Sequence, residues 1–196
     1  MIKSFSQIEK LLDQFDPEPS HARQVTRLAL QLFDQTGELH RFGEIERQFL
    51  QAAALLHDIG WSEGQKGHHK TSMKMILQHN FTGWSENEKL IIANIARYHR
   101  KGLPSQTHEP YARLSKKDQH RVAKLAALLR IADALDRSHQ NAVHTITCKH
   151  KKNVLELALE VRSDPTIELA VLEIKSDLLW EYYGLAVRVE TVHGTD

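Results

Sequence analysis

Ligand-type side chains recur where apolar helix faces should continue. That recurrence limits this chain to folds that bring several helix faces to one point. The clearest case is Leu56-His57-Asp58-Ile59-Gly60, which closes the run Phe49-Leu50-Gln51-Ala52-Ala53-Ala54-Leu55-Leu56. At 3.6 residues per turn, Phe49, Ala53 and His57 share a face, as do Leu50, Ala53 and His57. An imidazole therefore stands in a core position with a carboxylate beside it. His21 precedes Val25, Leu28, Ala29 and Leu32 on one stripe, and His99 follows Ile92, Ile95 and Ala96. Asp133 follows Val122, Leu125, Ala126 and Leu129, and His68 shares its face with Ser72, Met75 and Ile76. One such histidine alone reads as a hydrogen-bonded core residue. A buried ionised aspartate is costly unless paired or metal-bound. One shared metal centre accounts for all five helices at once.

The rest of the chain reads as helices followed by a small mixed unit. Ser6-Gln7-Ile8-Glu9 has the form of a capping box for a short helix that stops before Pro17 and Pro19. Ser20 is the expected cap of a second helix to about Thr36, with Gly37 as its stop signal. Further helices are expected over about Ile45–Asp58, His68–His79, from the Ser85-Glu86-Asn87-Glu88 box to about His99, and from Ser115 to near Ser138. Pro104 and Pro110 break the segment from Gly102 to Pro110. Val143–Lys149 and Val154–Val161 read as strands joined by a turn at Lys151-Lys152-Asn153, followed by a helix over Thr166–Tyr183 and a last strand over Leu185–Val192. The expected fold is mainly α: a helical bundle over residues 1–141 carrying a small β-β-α-β appendage over 142–196.

Composition narrows the function classes. In 196 residues, 26% are charged and 41% hydrophobic, which suits a single globular core. The formal net charge of +1 gives no global field to recruit nucleic acid or a membrane, so neither is an expected partner. Met1-Ile2-Lys3-Ser4-Phe5 lacks a signal-peptide core, and no apolar stretch approaches the roughly 20 residues that span a bilayer. Cys148 is the one cysteine, which fits a reducing cytoplasm.

The order His21, His57-Asp58, Asp133 resembles the HD-domain superfamily of metal-dependent phosphohydrolases. The strings His68-His69-Lys70-Thr71-Ser72, Ala96-Arg97-Tyr98-His99-Arg100-Lys101 and Leu128-Leu129-Arg130-Ile131-Ala132-Asp133 are similar to one branch of it. That branch is the C-terminal HD-like domain of the exopolyphosphatase/guanosine pentaphosphatase (Ppx/GppA) family, and the similarity covers nearly the whole chain. The resemblance implies an HD-domain bundle with a first metal site of His21, His57, Asp58 and Asp133. It implies a second of His68 and His99, with Asp58 bridging both. Full-length members carry two actin-like ATPase-fold domains, the usual seat of polyphosphate hydrolysis. Nothing of that size occurs in this sequence, so the chain is expected to act as a standalone domain and polyphosphate to be a poor substrate. Domains of the branch can lose the acidic ligands, whereas Asp58 and Asp133 are kept here.

Imidazole and carboxylate ligands without thiolates suit Mn, Fe, Co, Ni or Zn, as one or two ions. Asp58 and His57 are the candidate catalytic residues of a phosphatase or phosphodiesterase acting on a nucleotide or another small phosphorylated molecule. Lys66, Lys70, Arg100 and Lys101 flank the candidate ligands and are candidate substrate-binding cations, against plain surface charge. His69 rivals His68, since the two point about 100° apart on a helix; His68 is preferred for its stripe. Asp136-Arg137 is expected as a structural ion pair, and Trp61, Trp84 and Trp180 as packing anchors. His40, His79, His108, His120, His139, His144, His150 and His193 read as surface residues. The competing readings are a non-catalytic regulatory module binding metal or a phosphorylated ligand, and a helical protein with satisfied core histidines. The appendage could lid the site, mediate a homodimer or close the core.

Overall fold

The longest helix, Lys116–Ala134, is buried at every position from Leu125 onward, Arg130 and Asp133 included. A helix without a polar side belongs inside a protein, and the others gather round it. It is α8 in a computed structural model that describes residues 3–193; Met1 and Ile2 of the N-terminal reading lie outside them. Before it come α1 (Ser6–Phe15), α2 (Pro19–Gln35), the short α3 (Gly37–His40) and α4 (Glu44–Leu56). A 3-10 turn, Ile59–Glu63, leads to α5 (His68–Gln78), α6 (Glu86–Arg97) and the short α7 (Glu109–Ala112). After α8 come β1 (Val143–Lys151), β2 (Val154–Val161), α9 (Thr166–Lys175), α10 (Asp177–Tyr183) and β3 (Ala186–His193). The chain is thus mainly helical with a small C-terminal sheet, as its periodicities predict. No helix of the described residues is long and apolar enough to cross a membrane.

Helix α4 packs against both α2 and α6, all three pack on α8, and α5 packs on α6. The sheet order is β1-β2-β3, with β1 and β2 antiparallel and β2 and β3 parallel. The parallel pair requires a crossover, which α9 and α10 supply by running back over α8. Leu155, Leu157, Leu159 and Val161 alternate inward along β2 and join the same apolar cluster as the helices. The outer strand β1 is held by glutamines of α2. Gln24 donates to the Val143 carbonyl at 2.7 Å, Gln31 accepts from the Ile146 N–H at 3.1 Å, and Gln35 both donates to Ile146 and accepts from Cys148. These bonds cover part of an edge that would otherwise stay open to pairing.

Several expected boundaries move for local reasons. Ser6 does not cap α1: the cap position is Phe5, and the Glu9 carboxylate pairs with Arg23 instead of closing a box. Ser20 lies inside α2, because Pro19 takes the first turn, where its missing N–H costs nothing. The Ser85 box does form, with the Glu88 N–H donating to Ser85 Oγ at 3.3 Å and the Ser85 N–H to Glu88 Oε2 at 2.8 Å. Ser115 caps α8 through the Asp118 N–H, but that helix ends at Ala134, short of Ser138. The single helix expected over Thr166–Tyr183 is two, interrupted at Ser176. Trp84 is a buried anchor and Trp61 stacks on His68, whereas Trp180 is 59% exposed and anchors nothing.

Candidate metal centre

The C-terminal ends of α4 and α6 deliver two of the histidines. His57 follows the last residue of α4, and its Nδ1–H donates to the Ala54 carbonyl at 2.7 Å. His99 sits just beyond α6 and donates in the same way to Ala96 at 2.7 Å. Each ring thus bonds a carbonyl in the last turn of its helix, where intrahelical partners run out. His68 opens α5 and donates to the Gln65 carbonyl at 3.0 Å. His21, in the first turn of α2, donates to Asp136 Oδ2 at 2.8 Å. These partners only accept, so each ring carries a proton on Nδ1 and turns its Nε2 inward. Metal-binding histidines are oriented in this manner.

The four Nε2 atoms surround two buried carboxylates. His21 and His57 lie 3.5 and 3.8 Å from Asp133 Oδ1, and 4.0 and 3.6 Å from Asp58 Oδ2. The other oxygen of Asp58 faces away, 3.1 Å from His68 Nε2 and 3.5 Å from His99 Nε2. Two buried trios result, His21-His57-Asp133 and Asp58-His68-His99, each with ligand atoms close enough to hold one ion. Asp58 lies between them with one oxygen toward each. His21 Nε2, His57 Nε2 and Asp58 Oδ1 are buried with no hydrogen-bond partner. Orphaned polar atoms of this kind cost stability unless a ligand satisfies them, so the residues present fit a bound divalent cation.

The electrostatics agree. Burial alone would push the His21 imidazole down, but Asp133 and Asp136 outweigh it and lift it to about 10. Burial also opposes charge on His57, yet Asp58 and Asp133 raise it. Both aspartates are held well below the usual carboxylate range despite their burial, Asp58 by His57 and His68, Asp133 by Lys175 and His21. The first trio is therefore a place that favours positive charge. Burial drives His99 well below its ordinary value, which leaves its Nε2 lone pair free to bind a cation.

Gly60 sets the distance between α5 and the His57-Asp58 corner. A Cβ there would lie 2.4 Å from the His68 carbonyl oxygen and 2.5 Å from the Ser72 nitrogen. The Gly60 N–H donates to Ser72 Oγ at 3.0 Å. Glycine is required here by close approach of two backbones.

Lys66, Lys70, Arg100 and Lys101 line one cleft of about 380 Å³ beside the second trio, together with His69, Arg97, Tyr98 and His108. Arg100 reaches furthest inward, with its guanidinium 3.2 Å from His68 Nε2. His69 turns into this cleft, its ring at 89° to that of His68, while His68 faces Asp58. Burial and the neighbouring His68, Arg100 and Lys101 push the His69 imidazole down to about 4.

Several residues have roles that the sequence reading does not assign. Asp136 does not pair with Arg137, which is exposed; it is fully buried, holds His21 and accepts from the Asn141 N–H at 3.0 Å. An acid one turn after Asp133 on an apolar face is the signal that points to it. His139 is no free surface residue: it stacks on His21 at 3.8 Å and pairs with Glu18 at 2.6 Å. His40 is buried, and His108 accompanies Tyr98 in the cleft. The side chain of His193 lies outside the described residues. Arg97 belongs to the cleft but stands in a helix end rich in charge, where a cation has no distinguishing pattern. Lys175 pairs with Asp133 Oδ2 from 42 residues away, and no local sequence signal announces it.

Residues 5–179 match the family described as Ppx/GppA phosphatase, domain III. The match takes in both trios and the basic cleft and leaves β3 outside. The chain is also similar to the guanosine-5'-triphosphate,3'-diphosphate pyrophosphatases of Aliivibrio fischeri (strain ATCC 700601 / ES114) and Vibrio vulnificus (strain YJ016). It is 25% identical to them over 174 and 179 residues, in each case 87% of this chain and 34% of the relative. The chain thus spans about a third of the length of these curated relatives.

Proposed function

The chain belongs to the Ppx/GppA phosphatase domain III family, and from that premise we propose that it is a divalent-metal phosphohydrolase of HD-domain type acting on a small phosphorylated molecule. The observation that carries this reading is the pair of trios around Asp58, with four inward Nε2 atoms converging on two carboxylates beside a cationic cleft. His21, His57, Asp58 and Asp133 would hold one ion, and His68, His99 and the other oxygen of Asp58 a second. Divalent ions bound there supply Lewis-acid neutralisation of a phosphoryl group and acidify water. Asp58 fixes the spacing of the two positions, and His57 orients the first. Lys66, Lys70, Arg97, Arg100 and Lys101 pair with the phosphate oxygens that do not react.

A regulatory binding module is the second reading, and Arg100 favours it. Its guanidinium stands at His68 Nε2, so the second position can be capped by the chain's own cation. The test is elemental analysis of purified protein, then phosphatase and phosphodiesterase panels with added Mn, Co, Ni or Zn. Guanosine-5'-triphosphate,3'-diphosphate belongs in the panel because the relatives are named as its pyrophosphatases. We expect metal-dependent turnover of at least one phosphate ester, loss of turnover in Asp58→Ala, and little release of phosphate from polyphosphate. No turnover on any substrate, with phosphate compounds still raising the melting temperature, would transfer the assignment to the module.

A further inference from the structure

Lys175 ends α9, far in sequence from the other site residues, yet its ammonium pairs with Asp133. It is held there by a ladder between α9–α10 and the C-terminal half of α8 with the turn after it, which run in opposite directions. Glu168, fully buried, accepts from the Ser138 N–H at 2.8 Å at one end. Asp177 pairs with Arg130 at 2.8 Å at the other. Lys175 is the rung between them, and its side chain is only 14% exposed. The two oxygens of Asp133 are divided: Oδ1 faces His21 and His57, and Oδ2 takes Lys175.

We propose that Lys175 is a built-in counter-cation of the first metal position, sharing Asp133 with a bound ion, weakening metal binding there and stabilising the protein without metal. This rests on the reading that His21, His57 and Asp133 hold a divalent ion. Two cations on one carboxylate repel each other well inside the ~10 Å screening length of 0.1 M salt. Without metal the same ammonium compensates a buried carboxylate that would otherwise be costly. Glu168 ties α9 to the turn after α8 and Asp177 ties α10 to α8 itself, so the rung can be altered while the ladder stands. The sequence segment after β2 thereby supplies a group that sets the metal affinity of the helical body.

The test is calorimetric titration of Mn into chelator-stripped wild type, Lys175→Met, Lys175→Gln and Lys175→Arg, with melting temperatures in EDTA and in Mn. Removing the charge should tighten Mn binding by about 10-fold or more, lower the melting temperature in EDTA and enlarge the Mn-induced rise. Lys175→Arg should stay near wild type. Gln keeps a hydrogen-bond donor to Asp133 and serves if the Met variant does not fold. Unchanged or weaker Mn binding in a folded Met or Gln variant overturns the inference and leaves the metal centre standing. A wild type that binds no ion overturns both.

Discussion

At the scale of single residues, the centre depends on groups that point inward because something behind them holds them. The inward histidines and Asp133 are legible in the sequence because helical periodicity exposes a polar residue on an apolar stripe. The group behind His21 is less legible, since Asp136 looks like half of a local ion pair and its partner lies 115 residues away. Asp136→Asn keeps an acceptor but removes the charge that orients His21. We expect Mn affinity to fall by about 10- to 100-fold, as for other partners of metal-binding histidines. Titration of stripped protein measures it, and an affinity within twofold of wild type would count against the role. His40 gives an independent prediction. Its Nε2–H donates to the Phe33 carbonyl at 2.9 Å, and its Nδ1 accepts from the Phe42 N–H at 2.9 Å. Only the neutral ring can make both bonds, and burial pushes its pKa below the ordinary 6.5. The folded state thus binds fewer protons there than the unfolded chain. Its stabilisation is full above about pH 6.5 and is lost as pH falls through that value toward the lower folded one. Between pH 8 and 5.5 the melting temperature of wild type should drop more steeply than that of His40→Gln. Parallel curves would argue against it.

At the scale of elements, the long helices are readable, while the short α3 and α7, the break between α9 and α10 and some helix ends are not. Ser85 and Ser115 cap as their spacing predicts, while Ser6 and Ser20 do not, because Glu9 finds Arg23 and Pro19 claims the first turn of α2. Such competition is tertiary and leaves no local trace. The same holds for Gly60, whose role is visible only once α5 is in place. Gly60→Ala must push α5 away from the His57-Asp58 corner, since the contacts it meets are backbone atoms that cannot swing aside. Overpacking of this kind costs about 2 kcal/mol, in the range of 1–3 for enlarged core residues. Because His68 rides on α5 and His57 on α4, metal binding should weaken along with stability. Urea unfolding and Mn titration of Gly60→Ala test the two effects. A variant as stable as wild type would show that the loop after α4 can yield. The basic cleft is likewise an element property, assembled from the α5 start and the α6 end. Arg97→Ala and Arg100→Ala should each weaken binding of inorganic pyrophosphate several-fold with unchanged metal content. Unaltered binding in both would make the cleft plain surface charge.

At the scale of the whole molecule, helices α2, α4, α5, α6 and α8 each bring a polar residue to one buried place, and the fold pays for that convergence in unsatisfied atoms. The sequence reveals which faces converge, but the crossover through α9 and α10, and with it Lys175, follows only from the order of the strands. Since the trios draw on so many elements, a bound ion ties together parts of the chain that local contacts do not. Binding to the folded state alone stabilises by about 2.7 kcal/mol at a free ion concentration 100 times the dissociation constant. For a chain of this size each kcal/mol moves the melting temperature by roughly 2–4 °C, so the expected rise is on the order of 5–10 °C. Purified protein should carry one to two transition-metal ions, chelation should lower the melting temperature by that amount, and Mn, Co, Ni or Zn should restore it. Asp58→Ala should weaken the response at both positions, because Asp58 faces both trios. His68→Ala should remove only part of it, since His21, His57 and Asp133 remain. Scanning calorimetry of the three proteins, stripped and reloaded, separates these outcomes. A wild type that melts at one temperature with and without every ion would mean that the orphaned Nε2 atoms have some other partner.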